Sequence, residues 1–158
     1  MSQFDLPPTI KVRDANLQDA ASIVSLVQEL AKSDGLQSPI HAAYVEYYLA
    51  QSNCYALVAE LDSQMIGLLS YLMKPDLYHA GDTCYITELV VAEGSRARGV
   101  GSALMEALFV RLESLGCIEV SVTTMPDNLG AVRFYKRHGL VDEAIFLEKH
   151  FERLPRMG

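Results

Sequence analysis

The feature that most constrains the fold is a run in which a strand, a glycine-containing turn, a helix and a second strand follow one another. The apolar run over residues 85–92 predicts a strand. Residues 102–115 predict a helix because leucines recur along one stripe, and Gly116 marks its end. Residues 118–124 alternate like a strand. Such a unit closes as a right-handed crossover between parallel strands, so a sheet with a parallel pair and a covering helix is expected.

The other elements extend this unit into a mixed sheet. Strands joined by a hairpin are antiparallel, so the meander that precedes the crossover predicts a mostly antiparallel sheet. The predicted fold class is therefore α/β, of the α+β mixed-sheet kind, with helices on both faces. Besides the crossover, strands are predicted at 9–13, 54–61 and 65–73, helices at 17–32, 38–51 and 129–137, and a last strand or two within 140–149.

Length and charge exclude several classes of protein. A chain of 158 residues suits one domain, here predicted over 1–158 with an irregular arm at 1–8. The net charge of −7 leaves no evident basic face for a nucleic acid. The longest apolar stretch, 65–73, is far short of the ~20 residues that span a membrane. Three cysteines without CxxC spacing argue against a zinc site or a disulfide framework and favour a reducing cytoplasm.

The turn between the strand and the helix of the crossover reads Arg-Ala-Arg-Gly-Val-Gly-Ser over residues 96–102. Glycines let the backbone approach a ligand closely, and the first N–H groups of a helix attract anions. Two familiar phosphate motifs fail: no lysine follows Gly101 as a P-loop requires, and Leu104 stands where a dinucleotide fingerprint needs its third glycine. The turn is therefore predicted to be an anion cradle of another kind.

Arg96, Gly99 and Gly101 have the spacing of motif A in the GNAT superfamily of N-acetyltransferases, which this turn resembles. A second block over residues 128–140, Asn-x-x-Ala-x-x-Phe-Tyr-x-x-x-Gly-Leu, is similar to a further conserved block of that family. The order of elements also fits from residue 9 onward. One departure is Ala-Glu-Gly at 92–94, where many relatives carry a proline, and this loop is expected to differ in shape.

The resemblance implies an N-acetyltransferase that uses acetyl-CoA and a sheet whose parallel pair splays apart. An acetyl group would pass to a primary amine by direct attack in a ternary complex. The pantetheine arm would pair along the strand at 89–91, and the pyrophosphate would lie on the turn and the first helical amides. The implied cofactor-binding residues are Leu89, Val90, Val91, Arg96, Arg98, Gly99, Val100, Gly101, Ser102, Ala103, Asn128 and Ala131.

Two residues are candidates for catalysis. Glu88 is the only acid in the apolar run 85–92, where a carboxylate is costly unless it is paired or faces a wet cleft, so it is the candidate base. A structural ion pair, a solvent-facing edge and binding of the substrate ammonium are the alternatives. Tyr135 is the candidate acid for the leaving thiolate, with a core aromatic as the alternative. Asn128 serves equally well as a plain helix cap.

The acceptor is left open by the sequence. Tyr44, Tyr47 and Tyr48 are candidates to line its pocket, and the acidic charge leans toward a cationic small molecule, although peptide amines remain possible. His79 is expected to be an exposed loop residue and Cys84 a buried thiol. A homodimer is a family-level expectation only. The rival functions are a CoA-binding regulatory module without catalysis and a structural partner-binding domain.

Overall fold

The structure is a computed structural model that describes residues 9–153. The chain divides into two compact units, of which the first ends at Val122 and the second begins at Thr123. The described residues form five strands and four α-helices: β1 (Lys11–Asp14), α1 (Ala20–Ser33), α2 (Ala42–Leu49), β2 (Cys54–Leu61), β3 (Gln64–Asp76), β4 (Gly81–Val91), α3 (Val100–Ser114), β5 (Glu119–Val122) and α4 (Leu129–Arg137).

The five strands form one sheet in the order β1-β2-β3-β4-β5. Every neighbouring pair is antiparallel except β4–β5, which is parallel and is connected through α3. The predicted mixed, mostly antiparallel sheet is therefore confirmed. In the part of the chain that is described, no helix is long and apolar enough to cross a membrane.

The turn between β2 and β3 shows why the meander forms where the sequence predicts it. Asp62 and Ser63 both have positive φ, at 50° and 63°, which is the conformation of a two-residue type I′ hairpin. Leu61 pairs with Gln64 directly across this turn. The turn thereby sets the pairing as far as Glu60 opposite Met65. A bulge between Ala59 and Glu60 then shifts the register of the rest of the β2–β3 ladder, which ends with Cys54 opposite Leu72.

Helices pack on both faces of the sheet, as predicted. On one face, α1 and α2 cover a buried apolar cluster made of Ala20, Ile23, Leu26, Val45, Ala56, Val58, Leu68 and Val90. On the other face, α3 lies so close to β3 that a Cβ added at Gly67 would stand 2.8 Å from Val100 Cγ1. Leu104, Met105 and Leu108 of α3 are fully buried. Because side chains alternate along a strand, Gly67 faces α3 and Leu68 faces α1 and α2.

Several predicted boundaries are wrong. The β3–β4 ladder runs past residue 73, where β3 was predicted to end, to Asp76 opposite Gly81. It includes Pro75, since a proline fits where the ladder does not need its N–H. Helix α2 starts at Ala42 rather than at 38, because Pro39 disfavours helical backbone before it and His41 caps the helix. The polar loop between β3 and β4 is correspondingly only four residues long, 77–80.

The last predicted strand, within 140–149, is also wrong. Residues 140–153 contain neither helix nor strand. Their apolar side chains are open to solvent, with Ile145 87% and Leu147 86% exposed. A strand register is specified where one face is buried, and this segment has no buried face to specify one.

Candidate active site

An open sheet edge runs along the second half of β4. The parallel ladder with β5 covers only Thr83 to Ile86, because β5 ends at Val122. Beyond that point β4 continues to Val91 while it remains paired with β3 on its other side. Residues 87–91 therefore have no strand neighbour on the β5 side among the described residues. This is the splay that the family resemblance implies.

Successive residues of β4 turn their backbone N–H and C=O groups alternately toward β3 and toward the open edge. Ala92 N donates to Ile66 O at 2.8 Å, so this residue turns its backbone toward β3. Since successive residues of a strand turn opposite ways, Val90 also faces β3, whereas Leu89 and Val91 present N–H and C=O to the open edge. Arg96 Nε lies 3.3 Å from Val91 O, in keeping with that direction. The side chain of Val90 is buried in the cluster under α1 and α2.

The turn after β4 has the backbone of an anion cradle. Ala97 and Gly99 have φ of 60° and 80°, in the left-handed region. The N–H groups of Val100 and Gly101 have no intrahelical acceptor because they lie in the first turn of α3. Gly99, the residue before the helix, has no side chain to cap them. Ala103 N–H, by contrast, already donates to Gly99 O at 3.0 Å. The available amides therefore lie at the very start of the helix.

The charge around this cradle comes from side chains as well as from the helix. Arg96 and Arg98 are both exposed, and Ser102 stands in the first turn of α3. The positive end of the helix dipole points the same way. A local cluster of positive potential in a chain of net charge −7 is suited to a polyanion such as a pyrophosphate.

A β-bulge arranges the carboxylate of Glu88. In the β3–β4 ladder Ser70 pairs with Glu88 and Tyr71 pairs with Ile86, which leaves Thr87 as the extra residue. In a regular strand Thr87 and Glu88 would point to opposite faces. Here both reach the Ser70 hydroxyl, with Thr87 Oγ1 at 2.7 Å and with Glu88 Oε2 as the hydrogen-bond acceptor.

The surroundings of Glu88 bear on one of the alternatives left open by the sequence, the structural ion pair. Within residues 9–153 no cation lies within salt-bridge distance of Glu88, so the structural ion pair is not supported. Its pairing partner Ser70 lies on the face covered by α1 and α2. Sequence reasoning missed Ser70 and Thr87. The signal that could have found them was a hydroxyl side chain within an apolar strand, because a buried hydroxyl needs a hydrogen-bond partner.

Helix α2 brings one tyrosine to this group of polar residues. Burial raises the pKa of Tyr48 to about 12, while hydrogen bonding by Thr87 and Ser70 acts in the opposite direction. The Tyr48 hydroxyl also lies 3.2 Å from Tyr55 O. Tyr48 is thus tied to the sheet beside Glu88.

The two other tyrosines of α2 are exposed. Tyr44 and Tyr47 have ring centroids 5.5 Å apart, and Tyr44 also has His41 as an edge-on neighbour. Because residues three and four apart share one side of a helix, Tyr44 is a neighbour of both Tyr47 and Tyr48, whereas Tyr47 and Tyr48 themselves point about 100° apart.

The remaining candidate residues belong to the second unit, which is described by itself. The Asn128 side chain accepts from Ala131 N at 3.2 Å, so Asn128 is a helix cap as the simpler interpretation predicts. Tyr135 is largely shielded, and burial raises its pKa to about 12. Its ring meets Phe134 edge to face, with centroids 5.3 Å apart. Contact of these residues with a cofactor stays a prediction.

The remaining residues named from the sequence, His79 and Cys84, make contacts within the protein or are buried in it. His79 Nδ1 lies 3.2 Å from Asp76 Oδ2, which holds the pKa of that carboxyl below its usual range. Cys84 is a buried free thiol, as predicted, with a pKa raised to about 12 by burial. The three cysteines are free, and the residues that the structure describes contain no group of three or more potential metal ligands.

Comparison with known proteins gives a consistent result. The sequence model of the acetyltransferase (GNAT) family matches residues 23–140. L-2,4-diaminobutyric acid acetyltransferase of Nocardia farcinica is 24% identical over 90% of this chain and 76% of its own length. Aminoalkylphosphonate N-acetyltransferase of Salmonella typhimurium is 28% identical over 85% of this chain and 87% of its own length.

A solved structure shares the fold. A crystal structure described as a transcriptional regulator from Bacillus halodurans superposes with a TM-score of 0.81 at 23% identity, covering 90% of this chain and 100% of that one. At this identity the likeness concerns the arrangement of helices and strands alone.

Proposed function

The chain belongs to the acetyltransferase (GNAT) family and is an N-acetyltransferase, and on that premise we propose that it transfers an acetyl group from acetyl-CoA to the primary amine of a small molecule by direct attack in a ternary complex. The observation that carries the proposal is the continuity of two features. The open edge of β4 at 87–91 leads, within one short turn, to the uncapped start of α3 at Val100.

Each feature fits a different part of acetyl-CoA. The N–H and C=O groups of Leu89 and the C=O group of Val91 offer ladder hydrogen bonds to the amides of a pantetheine arm. The amides of Val100 and Gly101, with Arg96 and Arg98, offer donors and positive charge to the pyrophosphate. Ser102 is proposed to contribute at the same turn, and Asn128 and Ala131 to border the thioester end.

Acetyl-CoA, when bound, supplies an acetyl group activated as a thioester. An alkyl amine arrives mostly as ammonium because its pKa is near 10. Glu88 accepts a proton from this ammonium, directly or through water, and so frees the nitrogen lone pair for attack on the carbonyl carbon. The Val91 N–H, aimed at the open edge, donates to the carbonyl oxygen as negative charge develops there. The backbone alternation makes Val91 a better candidate for this role than Val90.

The leaving sulfur needs a proton after the carbon–sulfur bond breaks. Tyr135 is proposed to donate it from its hydroxyl. Burial raises the pKa of Tyr135 to about 12, so this group is protonated throughout the neutral range and the donor form is always present. Glu88 releases the ammonium proton to solvent and then takes the second proton from the nitrogen of the product, while Tyr135 regains a proton from solvent. The products are the amide and free CoA, with one net proton released.

A small cationic or zwitterionic amine is the proposed acceptor. Two of the matched relatives are named for small aliphatic amines, diaminobutyrate and aminoalkylphosphonate. The exposed rings of Tyr44 and Tyr47, next to Tyr48 on α2, offer aromatic faces to a cation. The net charge of −7 favours the approach of such a molecule. Three free cysteines fit a reducing cytoplasm, and a homodimer is a further expectation from the family.

An acetyl-transfer assay over a panel of amines tests the proposal. The panel contains L-2,4-diaminobutyric acid, 2-aminoethylphosphonate, a polyamine, an aminoglycoside and a lysine peptide, and release of CoA thiol is followed with acetyl-CoA present. Release that depends on one small amine supports the proposal. Binding of acetyl-CoA without release for any amine would instead identify the regulatory CoA-binding module, and failure to bind acetyl-CoA would favour a structural domain.

A further inference from the structure

Three hydroxyl groups converge behind the carboxylate of Glu88. We propose that Ser70 is a positioning residue, which with Thr87 and Tyr48 fixes the carboxylate of Glu88 in one orientation for proton transfer. This inference rests on the proposed role of Glu88 as the base. It adds Ser70 and Thr87, which the sequence did not single out, and gives Tyr48 a role beyond lining the acceptor pocket.

The directions of the hydrogen bonds follow from the number of hydrogens available. An ionised carboxylate only accepts, so the single hydroxyl hydrogen of Ser70 must go to Glu88 Oε2. Ser70 Oγ can then only accept from Thr87 Oγ1, at 2.7 Å, which makes Thr87 the donor in that pair. The result is a directed series from Thr87 through Ser70 to Glu88.

Tyr48 lies beside this series on the helical side. Its hydroxyl donates to Tyr55 O at 3.2 Å and to Tyr71 O at 3.4 Å. Those carbonyls belong to residues directly opposite each other in β2 and β3. Tyr48 is thereby anchored to the backbone, and its fixed side chain limits the rotamers open to the neighbouring hydroxyls of Ser70 and Thr87.

The arrangement leaves one carboxylate oxygen of Glu88 for chemistry. Oε2 is occupied by Ser70, which is only 5% exposed, so Oε1 is the oxygen left to receive a proton from the acceptor amine. A glutamate side chain has several rotatable bonds, and fixing them in advance lowers the entropy cost of reaching the productive geometry. The bulge at Thr87 is what allows two adjacent residues to share one serine.

A double-mutant cycle on kcat tests the positioning role, with the best acceptor of 2-aminoethylphosphonate and L-2,4-diaminobutyric acid as the probe. The variants are Ser70→Ala, Glu88→Gln and the two combined. We expect Ser70→Ala to lower kcat about 10- to 100-fold, the range for losing one hydrogen bond to a charged group, with little change in KM. In the Glu88→Gln background the same change should have almost no effect, because no base is left to orient.

Conservative variants separate positioning from general damage to the fold. Thr87→Val keeps the side-chain shape and removes the donor to Ser70, so it should show the same non-additivity with a smaller loss. Ser70→Thr keeps a hydroxyl and should restore most of kcat. An equal loss from Ser70→Ala in both backgrounds, or none in either, would overturn the positioning role while leaving the base intact. An unchanged kcat in Glu88→Gln would overturn the proposed base and the positioning role together.

A crystal structure of Ser70→Ala, compared with one of the unaltered protein, gives a readout that needs no acceptor. The carboxylate of Glu88 should leave its single position and occupy more than one rotamer. A carboxylate that stays in place without the serine hydroxyl would contradict the proposal, whatever the kinetics.

Discussion

Ser70 and Glu88 face each other across the β3–β4 ladder, and the hydroxyl of the first donates to the carboxylate of the second. The two residues are 18 positions apart in the chain. Their contact depends on the hairpin between β3 and β4 and on the bulge at Thr87. The site proposed for acetyl transfer is thus a product of strand register as much as of motif.

The cradle at the start of α3 is tested by Gly101→Glu. The added carboxylate would repel the pyrophosphate from the first turn of the helix. In the unaltered protein, acetyl-CoA at about 100 times its Kd should raise the Tm by roughly 5–10 °C, and the variant should lose this shift. Differential scanning fluorimetry with and without acetyl-CoA measures both.

Gly94→Glu is the matched control, since Gly94 has open space around it and precedes the motif. A full shift in Gly101→Glu would argue against the cradle.

The acid role of Tyr135 is tested by Tyr135→Phe. Loss of the proton donor should lower kcat about 100-fold or more, with the Kd for acetyl-CoA nearly unchanged. Since burial raises the pKa of Tyr135 to about 12, activity of the unaltered enzyme should not fall through loss of this proton between pH 7 and 10. Tyr55→Phe removes a hydroxyl that donates to Ser52 O and serves as the control. Equal kcat values in the two variants would remove Tyr135 from the mechanism.

The contact between β3 and α3 is tested by Gly67→Ala. The new Cβ would stand 2.8 Å from Val100 Cγ1 and 3.1 Å from Leu104 Cδ1, so the helix or the strand must shift. Overpacking of this kind costs about 1–3 kcal/mol of unfolding free energy. Urea denaturation measures it, with Gly94→Ala as a substitution that meets nothing within 4 Å. Equal stability of the two variants would mean that α3 can move away without cost.

The reactivity of the cysteines should follow their burial. Burial raises the pKa of Cys84 to about 12, so at pH 8 its thiolate fraction is on the order of 10⁻⁴. Cys54 and Cys117 are only half-buried. Timed alkylation followed by peptide mass spectrometry should label Cys117 long before Cys84 in the folded protein. All three should react alike in urea, and early labelling of Cys84 under native conditions would contradict its buried position.

The ion pair at the start of α1 should make stability depend on acid. The hydrogen bonds from Arg13, at 2.8 and 2.9 Å, hold the pKa of Asp19 below its usual range. A carboxyl whose pKa is lowered by folding stabilises the protein above its unfolded pKa, near pH 4, and loses this contribution as the pH falls through the folded value. Asp19→Asn should therefore cost roughly 1–3 kcal/mol at pH 7 and much less at pH 2–3.

Urea denaturation across that pH range measures the difference between Asp19→Asn and the unaltered protein. Asp34→Asn, at an exposed helix end, is the control and should follow the unaltered protein at every pH. A cost of Asp19→Asn that does not depend on pH would assign its effect to packing rather than to charge.

Local pattern was sufficient for much of the fold. Strand β2 (Cys54–Leu61) and helix α4 (Leu129–Arg137) begin and end where the sequence predicts, because alternation, helical period and turn residues act over a few positions. The end of β3 and the last strand were wrong for the opposite reason. Pairing with β4 carries β3 past Pro75, while nothing buried fixes a register for 140–149.

The sequence by itself determined the order of elements, the family resemblance and the position of the glycine turn between β4 and α3. Those properties depend on residues close together in the chain and on their spacing. Only the tertiary structure decided that β4 extends beyond the end of β5 and that Leu89 and Val91, rather than Val90, face the open edge. It also decided that Glu88 is surrounded by Ser70, Thr87 and Tyr48. These follow from strand lengths, register and one bulge, which are set by contacts between distant segments.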